Sequence, residues 1–207
     1  MDKIGISIGH SNLDCGAIAI NGQEEHLFNS ELVAEILDFK TNNFEWFISD
    51  WNAENLPYPQ HIWQTVRNIN ESDCIGAIEI HHNSSLKSHV RGGMVIHWDT
   101  SEQGKVFAEY VSKEMSIIDD TLFDWGGLRY IWKRQKYDYE AGTVTTLKHL
   151  KRRIYFLGRT LVPALIIEPC YISNVDDIEW INKNRIYIAR AIRTGCERWV
   201  ESLKKQG

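Results

Sequence analysis

The stretch CIGAIEIHHNSS, residues 74–85, decides the reading of the fold. Its first seven residues form an apolar run of strand length, broken only by Glu79. Such a run fits a strand buried on both faces, as in a parallel sheet covered by helices. His81, His82 and Asn83 follow at its end. In sheets of this kind, ligands bind beyond the carboxyl ends of the strands.

Working outward, KIGISI (3–8), FEWFISDW (44–51), GGMVIHW (92–98), RIYFLG (153–158) and LIIEPCYI (165–172) read as further strands. Helical spacing of apolar residues marks about 24–40, with Leu27, Phe28, Val33, Ile36 and Leu37 on the pattern. Pro57 and Pro59 precede a helix over about 60–70, and others cover about 101–118, 175–181 and 186–204. Strands alternating with helices predict an α/β fold. The expectation is a single domain over residues 1–207, with a mostly parallel, twisted sheet of about six strands and helices on both faces. Residues 119–152 interrupt the pattern as one long connection.

Composition narrows the function classes. A net charge of −5 argues against a general nucleic-acid binder. Cys15, Cys74, Cys170 and Cys196 lie too far apart for a disulfide framework or an all-cysteine metal site. Cys170 alone, two residues past Glu168, is close enough in sequence to lie near a site. No apolar run reaches the roughly 20 residues of a membrane-spanning helix, so stable membrane insertion is not expected. MDKIGISIGHS lacks the apolar core and cleavage site of a signal peptide, which predicts synthesis in the cytoplasm without a secretory signal.

Four local frames carry the chemistry: IGISIGHS (4–11), NGQEEHLFN (21–29), IEIHHNSS (78–85) and ALIIEPCYISN (164–174). They offer His10, one of Glu24 and Glu25, one of His81 and His82, and Glu168. Two imidazoles and a carboxylate with one open position are the ligand set of a catalytic rather than a structural zinc site. Side chains alternate along a strand, so His81 and His82 cannot both reach one metal, and His81 is favoured. Glu24 and Glu25 lie about 100° apart around a helix, so only one reaches it. Gly9 is expected to make the tight turn that frees His10. Asn29, one turn after Glu25, is placed to orient it. Glu79 shares a side of the strand with His81 and is either its orienting partner or an ordinary buried acid. Glu168, an acid ending an apolar run, is suited to take a proton from a metal-bound water.

Together the frames resemble the zinc-dependent N-acetylmuramoyl-L-alanine amidases of the type-3 family, found in autolysins and phage endolysins. That family's pattern runs G-H, N-G-x-x-E-x-x-x-N, S-I-H-x-N, G-G-x-x-V and L-x-E-x-x-F-x-S-N. Its counterparts here are Gly9-His10, Asn21 to Glu25 with Asn29, Ile80 to Asn83, Gly92 to Val95, and Ile167 to Asn174. The resemblance implies Zn2+ on His10, Glu25 and His81, with Glu168 as the catalytic acid/base. It implies peptidoglycan as the partner, cut between the lactyl group of N-acetylmuramic acid and L-alanine. The family's Asp-Pro-Gly-His-Gly-Gly is Ser7-Ile8-Gly9-His10-Ser11-Asn12 here, and its serine before Ile-His is Glu79.

Two other functions share these residues. A zinc carboxypeptidase would need an arginine to clamp a terminal carboxylate, for which Arg129, Arg134 and Arg159 are candidates. A wall-binding module would have lost its chemistry, yet all three ligands and the acid are retained. Residues Arg129, Lys133, Arg134, Lys136, Lys148, Lys151, Arg152 and Arg153 lie among aromatics and read either as a solvated loop and helix face or as a wall-facing edge. The lack of a secretory signal suggests an endolysin released to the wall.

Overall fold

Strand β1 (Asp2–Ile8) is buried on both sides because the chain covers each face of its sheet with helices. The computed structural model describes residues 1–118 and 154–205, and the backbone of residues 144–146. After β1 come α1 (Glu25–Asp38), β2 (Phe44–Ile48), α2 (Gln60–Asn70), β3 (Cys74–Ile80), β4 (Met94–His97) and α3 (Glu102–Met115). The short strand β5 (Val144–Thr146), α4 (Tyr155–Arg159), β6 (Ala164–Glu168) and α5 (Val175–Lys204) complete the order.

The six strands lie in the order β2-β1-β3-β6-β4-β5. All pairings are parallel except β4 with β6. Alternation along each strand splits the core in two. Ile4, Ile6, Ile78, Ile80, Leu165 and Ile167 meet Phe28, Phe107 and Trp199 of α1, α3 and α5. Cys74, Ala77, Ile96 and Ile166 meet Ile62, Val66 and Ile69 of α2 and Phe156 and Leu157 of α4. The expected mostly parallel α/β architecture is therefore the observed one.

Five element readings need correction. Residues 119–152 are not one unbroken connection, because β5 lies within them and pairs with β4, Val144 opposite Val95. RIYFLG is no strand: residues 155–159 form α4, with Phe156 and Leu157 buried and Tyr155 and Arg159 outside. The second strand stops at Ile48, where Ser49 and Asp50 turn back to bond Ile6 and Ile8 of β1. LIIEPCYI leaves the sheet at Glu168, since Pro169 has no N–H for the ladder. The two last helices are one helix of 30 residues. Its polar stretch Asn182 to Arg185 is a solvent-side turn, and Arg185 pairs there with Glu31 and Glu35 of α1. No helix among the described residues is long and apolar enough to cross a membrane.

The chain leaves β1 for β2 through α1 on one face, and leaves β2 for β3 through α2 on the other. The crevice beyond the carboxyl ends of β1 and β3 is thus the switch point of the sheet, where such folds bind ligands.

Candidate functional site

His10, Glu25 and His81 meet at this switch point. Each offers one ligand atom, and these atoms all lie within 4.8 Å of one another. His10 follows β1 in a left-handed conformation, φ 66°, so the histidine itself, and not Gly9, makes the turn. The turn is tied down by the Gly9 N–H, which donates to the Ile80 carbonyl at 2.8 Å, and by Asn29 Nδ2, which donates to the Gly9 carbonyl at 2.9 Å. Glu25 opens α1 and is buried, whereas Glu24 is exposed before it. The Ala17 N–H donates to Glu25 Oε2 and the His82 N–H to Oε1, so two backbone donors fix the carboxylate.

Two glycines let the side chains meet. A Cβ on Gly9 would sit 2.5–2.6 Å from the ring atoms of His81. One on Gly16 would sit 2.6–2.7 Å from His10 and from Glu25 Oε2. Both clashes are with groups held in place, so only glycine fits.

The contacts match a metal site. Glu25 Oε2 lies 3.3 Å from His10 Nε2, and Glu25 Oε1 lies 3.0 Å from His81 Nδ1. Ligand atoms about 2.0–2.1 Å from a tetrahedral zinc are about 3.3 Å apart. On the far side of the ring, His81 Nε2 lies 3.2 Å from Glu79 Oε2. A carboxylate on the second nitrogen is the usual partner of a metal-binding histidine. Burial alone would raise the Glu25 carboxyl, but hydrogen bonds from His10 and His81 outweigh it and hold the group well below the ordinary range. Burial would lower His81, but Glu79 and Glu25 outweigh it and raise the imidazole well above its ordinary value. Two carboxylates thus draw positive charge to one buried spot, which a divalent cation can supply.

His82 turns to the opposite face, as strand alternation predicts. Its Nδ1 lies 2.7 Å from Asn29 Oδ1 and its ring packs on Phe28. Burial pushes this imidazole down to about 4. Asn29 therefore secures His82 and the His10 turn and does not orient Glu25. Cys170 is buried in the core on the α1 and α5 side, away from the cleft.

Glu168 ends β6, beside β3, and lines the same cleft of about 280 Å³ as His10, Glu25, Glu79 and His81. Tyr58, Asn83, Ser84 and Ile154 complete much of its wall. Sequence reading missed Tyr58: it comes from a loop between two prolines, where no periodicity marks a role. Burial pushes its hydroxyl up to about 12, with Glu79 and Asp14 adding to the effect. Asp50 and His61 lie behind the site, 3.9 Å apart and almost wholly buried. Arg159 lies on α4, while Arg129, Arg134 and the rest of the basic stretch fall outside the described residues.

The family profile described as N-acetylmuramoyl-L-alanine amidase matches residues 4–198. No curated protein matches the chain. Among solved structures, the catalytic domain of CwlV, an amidase from Bacillus (Paenibacillus) polymyxa, superposes with a TM-score of 0.75. It is 17% identical over 97% of this chain and 99% of that one. Ami1 of Mycobacterium smegmatis gives a TM-score of 0.76 at 15% identity, over 97% of each chain. The catalytic domain of an endolysin targeting Clostridia difficile gives 0.68 at 19%, over 95% and 97%. These three likenesses speak for the shared fold, and the profile, spanning nearly the whole sequence, speaks for descent: the chain belongs to the type-3 family of N-acetylmuramoyl-L-alanine amidases.

Proposed function

We propose that the protein is a zinc-dependent peptidoglycan hydrolase that cuts the amide between the lactyl group of N-acetylmuramic acid and L-alanine. One observation carries the reading: His10, Glu25 and His81 bring ligand atoms within 4.8 Å of one another in a cleft that Glu168 also lines. These three residues would hold a zinc ion, which would supply a Lewis acid and bring the pKa of a water in the cleft towards about 7.

The protein's own groups then divide the work. Glu25 is locked by the Ala17 and His82 N–H groups and stays ionised. Glu79 holds Nε2 of His81, so the ring presents Nδ1 to the site. Glu168 takes a proton from the attacking water and returns it to the leaving amine of alanine. The site's side chains come from the ends of adjoining strands of one sheet, the residues just beyond them and the first turn of one helix, which supports a single catalytic unit acting at the bacterial wall. The likeness to an endolysin's catalytic domain agrees with an endolysin or autolysin role.

The role of Glu168 is tested by separating metal from turnover. Glu168→Gln should keep its zinc by elemental analysis and lose about 10²–10⁴-fold in turnover on purified walls. Turnover near that of the wild type would remove Glu168 from the mechanism.

A further inference from the structure

A groove of about 670 Å³ runs between α2 and α4, outside the cleft just described. The buried side of α2 presents His61, Ile62, Thr65, Val66 and Ile69 to the core. Its groove side carries Gln60, Trp63, Gln64 and Arg67, spaced as one helical stripe. Tyr155 and Arg159, one turn apart on α4, form the facing wall. Trp63 is 66% exposed there, although a tryptophan is usually well buried.

The groove and the cleft are lined by neighbouring stretches of chain. Tyr58 and Ile154 line the cleft, whereas Gln60 and Tyr155, two and one residues further along, line the groove. Its chemistry is aromatic and amide-rich with little net charge: Arg67 is paired with Glu71 at 2.8 Å, which leaves Arg159 as the remaining charged side chain of the lining. From Gln60 to Glu71 the α2 wall is about 16 Å long, room for more than one sugar ring. Flat aromatic faces suit the apolar faces of pyranose rings. Glutamine amides suit hydroxyl and acetamido groups. A polyanion would ask for more unpaired cations.

We infer that this groove binds the glycan strand of peptidoglycan and feeds the muramic acid side chain into the cleft. The inference rests on the substrate proposed above, in which the scissile amide hangs directly from a sugar. It gives Trp63 a binding role that the reaction itself does not require.

The test uses glycan strands stripped of their stem peptides, so that no amide is present to cut. The wild-type protein should bind them, and Trp63→Ala should bind roughly tenfold more weakly. Trp63→Phe, which keeps an aromatic face, should recover part of the loss. No binding by the wild type, or equal affinity of wild type and Trp63→Ala, would overturn the inference. A lowered melting temperature with unchanged glycan affinity would overturn it too, and would assign the groove to packing within the chain. The two readings fail separately: Trp63-dependent glycan binding without release of alanine amines from whole walls would keep the groove and remove the amidase reaction.

Discussion

At the level of single residues, His81 is the pivot, held between Glu25 at 3.0 Å and Glu79 at 3.2 Å. Glu79 stands where the family pattern has serine, and it is buried to 2% exposure. A carboxylate on the far nitrogen orients a ligating imidazole and makes it a better donor, and losing such a partner costs about 10–100-fold in metal affinity. Glu79→Gln and Glu79→Ser should therefore weaken zinc binding by that order in competition with a chelator. Affinity equal to that of the wild type would make Glu79 an ordinary buried acid. Much of this site was legible in the sequence, because local rules bear on it. Alternation along a strand separated His81 from His82, and helix geometry said that only one of Glu24 and Glu25 reaches inward. What the sequence hid depends on distant partners. Asn29 reaches Gly9 and His82, twenty and 53 residues away, and no spacing rule carries that information. Gly9 hides its role for a related reason: it admits a ring that arrives 72 residues later.

Among the elements, sequence and structure part where a segment is too short or too polar for periodicity to decide. YFLGR has one turn of helix, so the same apolar residues satisfy a strand pattern as well. The polar turn in α5 looked like a break because its charges are spent on a neighbour, with Arg185 reaching Glu31 and Glu35 of α1. The long helix is held on the other side by α3, where Trp199 stacks on Phe107 with ring centroids 4.0 Å apart. Gly195 sets how closely these helices cross: a Cβ there would lie 2.5 Å from Val111 Cα. Backbone cannot swing aside as a side chain can, so Gly195→Ala should destabilise the protein by about 1–3 kcal/mol despite the better helix propensity of alanine. Denaturant unfolding would measure it, and a stabilised variant would show that the crossing is looser than described.

For the whole molecule, the sheet order turns scattered frames into one site. Alternating strands and helices predict a parallel α/β sheet, but only the order β2-β1-β3-β6 places the ends of β1, β3 and β6 side by side. The site also bears on stability. Asp50 is buried behind it, and burial pushes its carboxyl from 3.8 up to about 6 although the Ile8 N–H opposes the shift. The folded state thus holds this proton more tightly than the unfolded chain. The stabilisation is complete below the unfolded value and is lost as pH rises through about 6. Asp50→Asn does not titrate, so its stability relative to wild type should rise by roughly 3 kcal/mol between pH 3.5 and 7. A difference that stays flat with pH would mean that Asp50 is not buried as described. The central claim, that this site hydrolyses the muramoyl–alanine amide, is tested most directly by mass spectrometry of digested peptidoglycan. New free amino termini on L-alanine are predicted, with the glycan strands left intact; new reducing sugar ends, or cuts within the stem peptide, would contradict it.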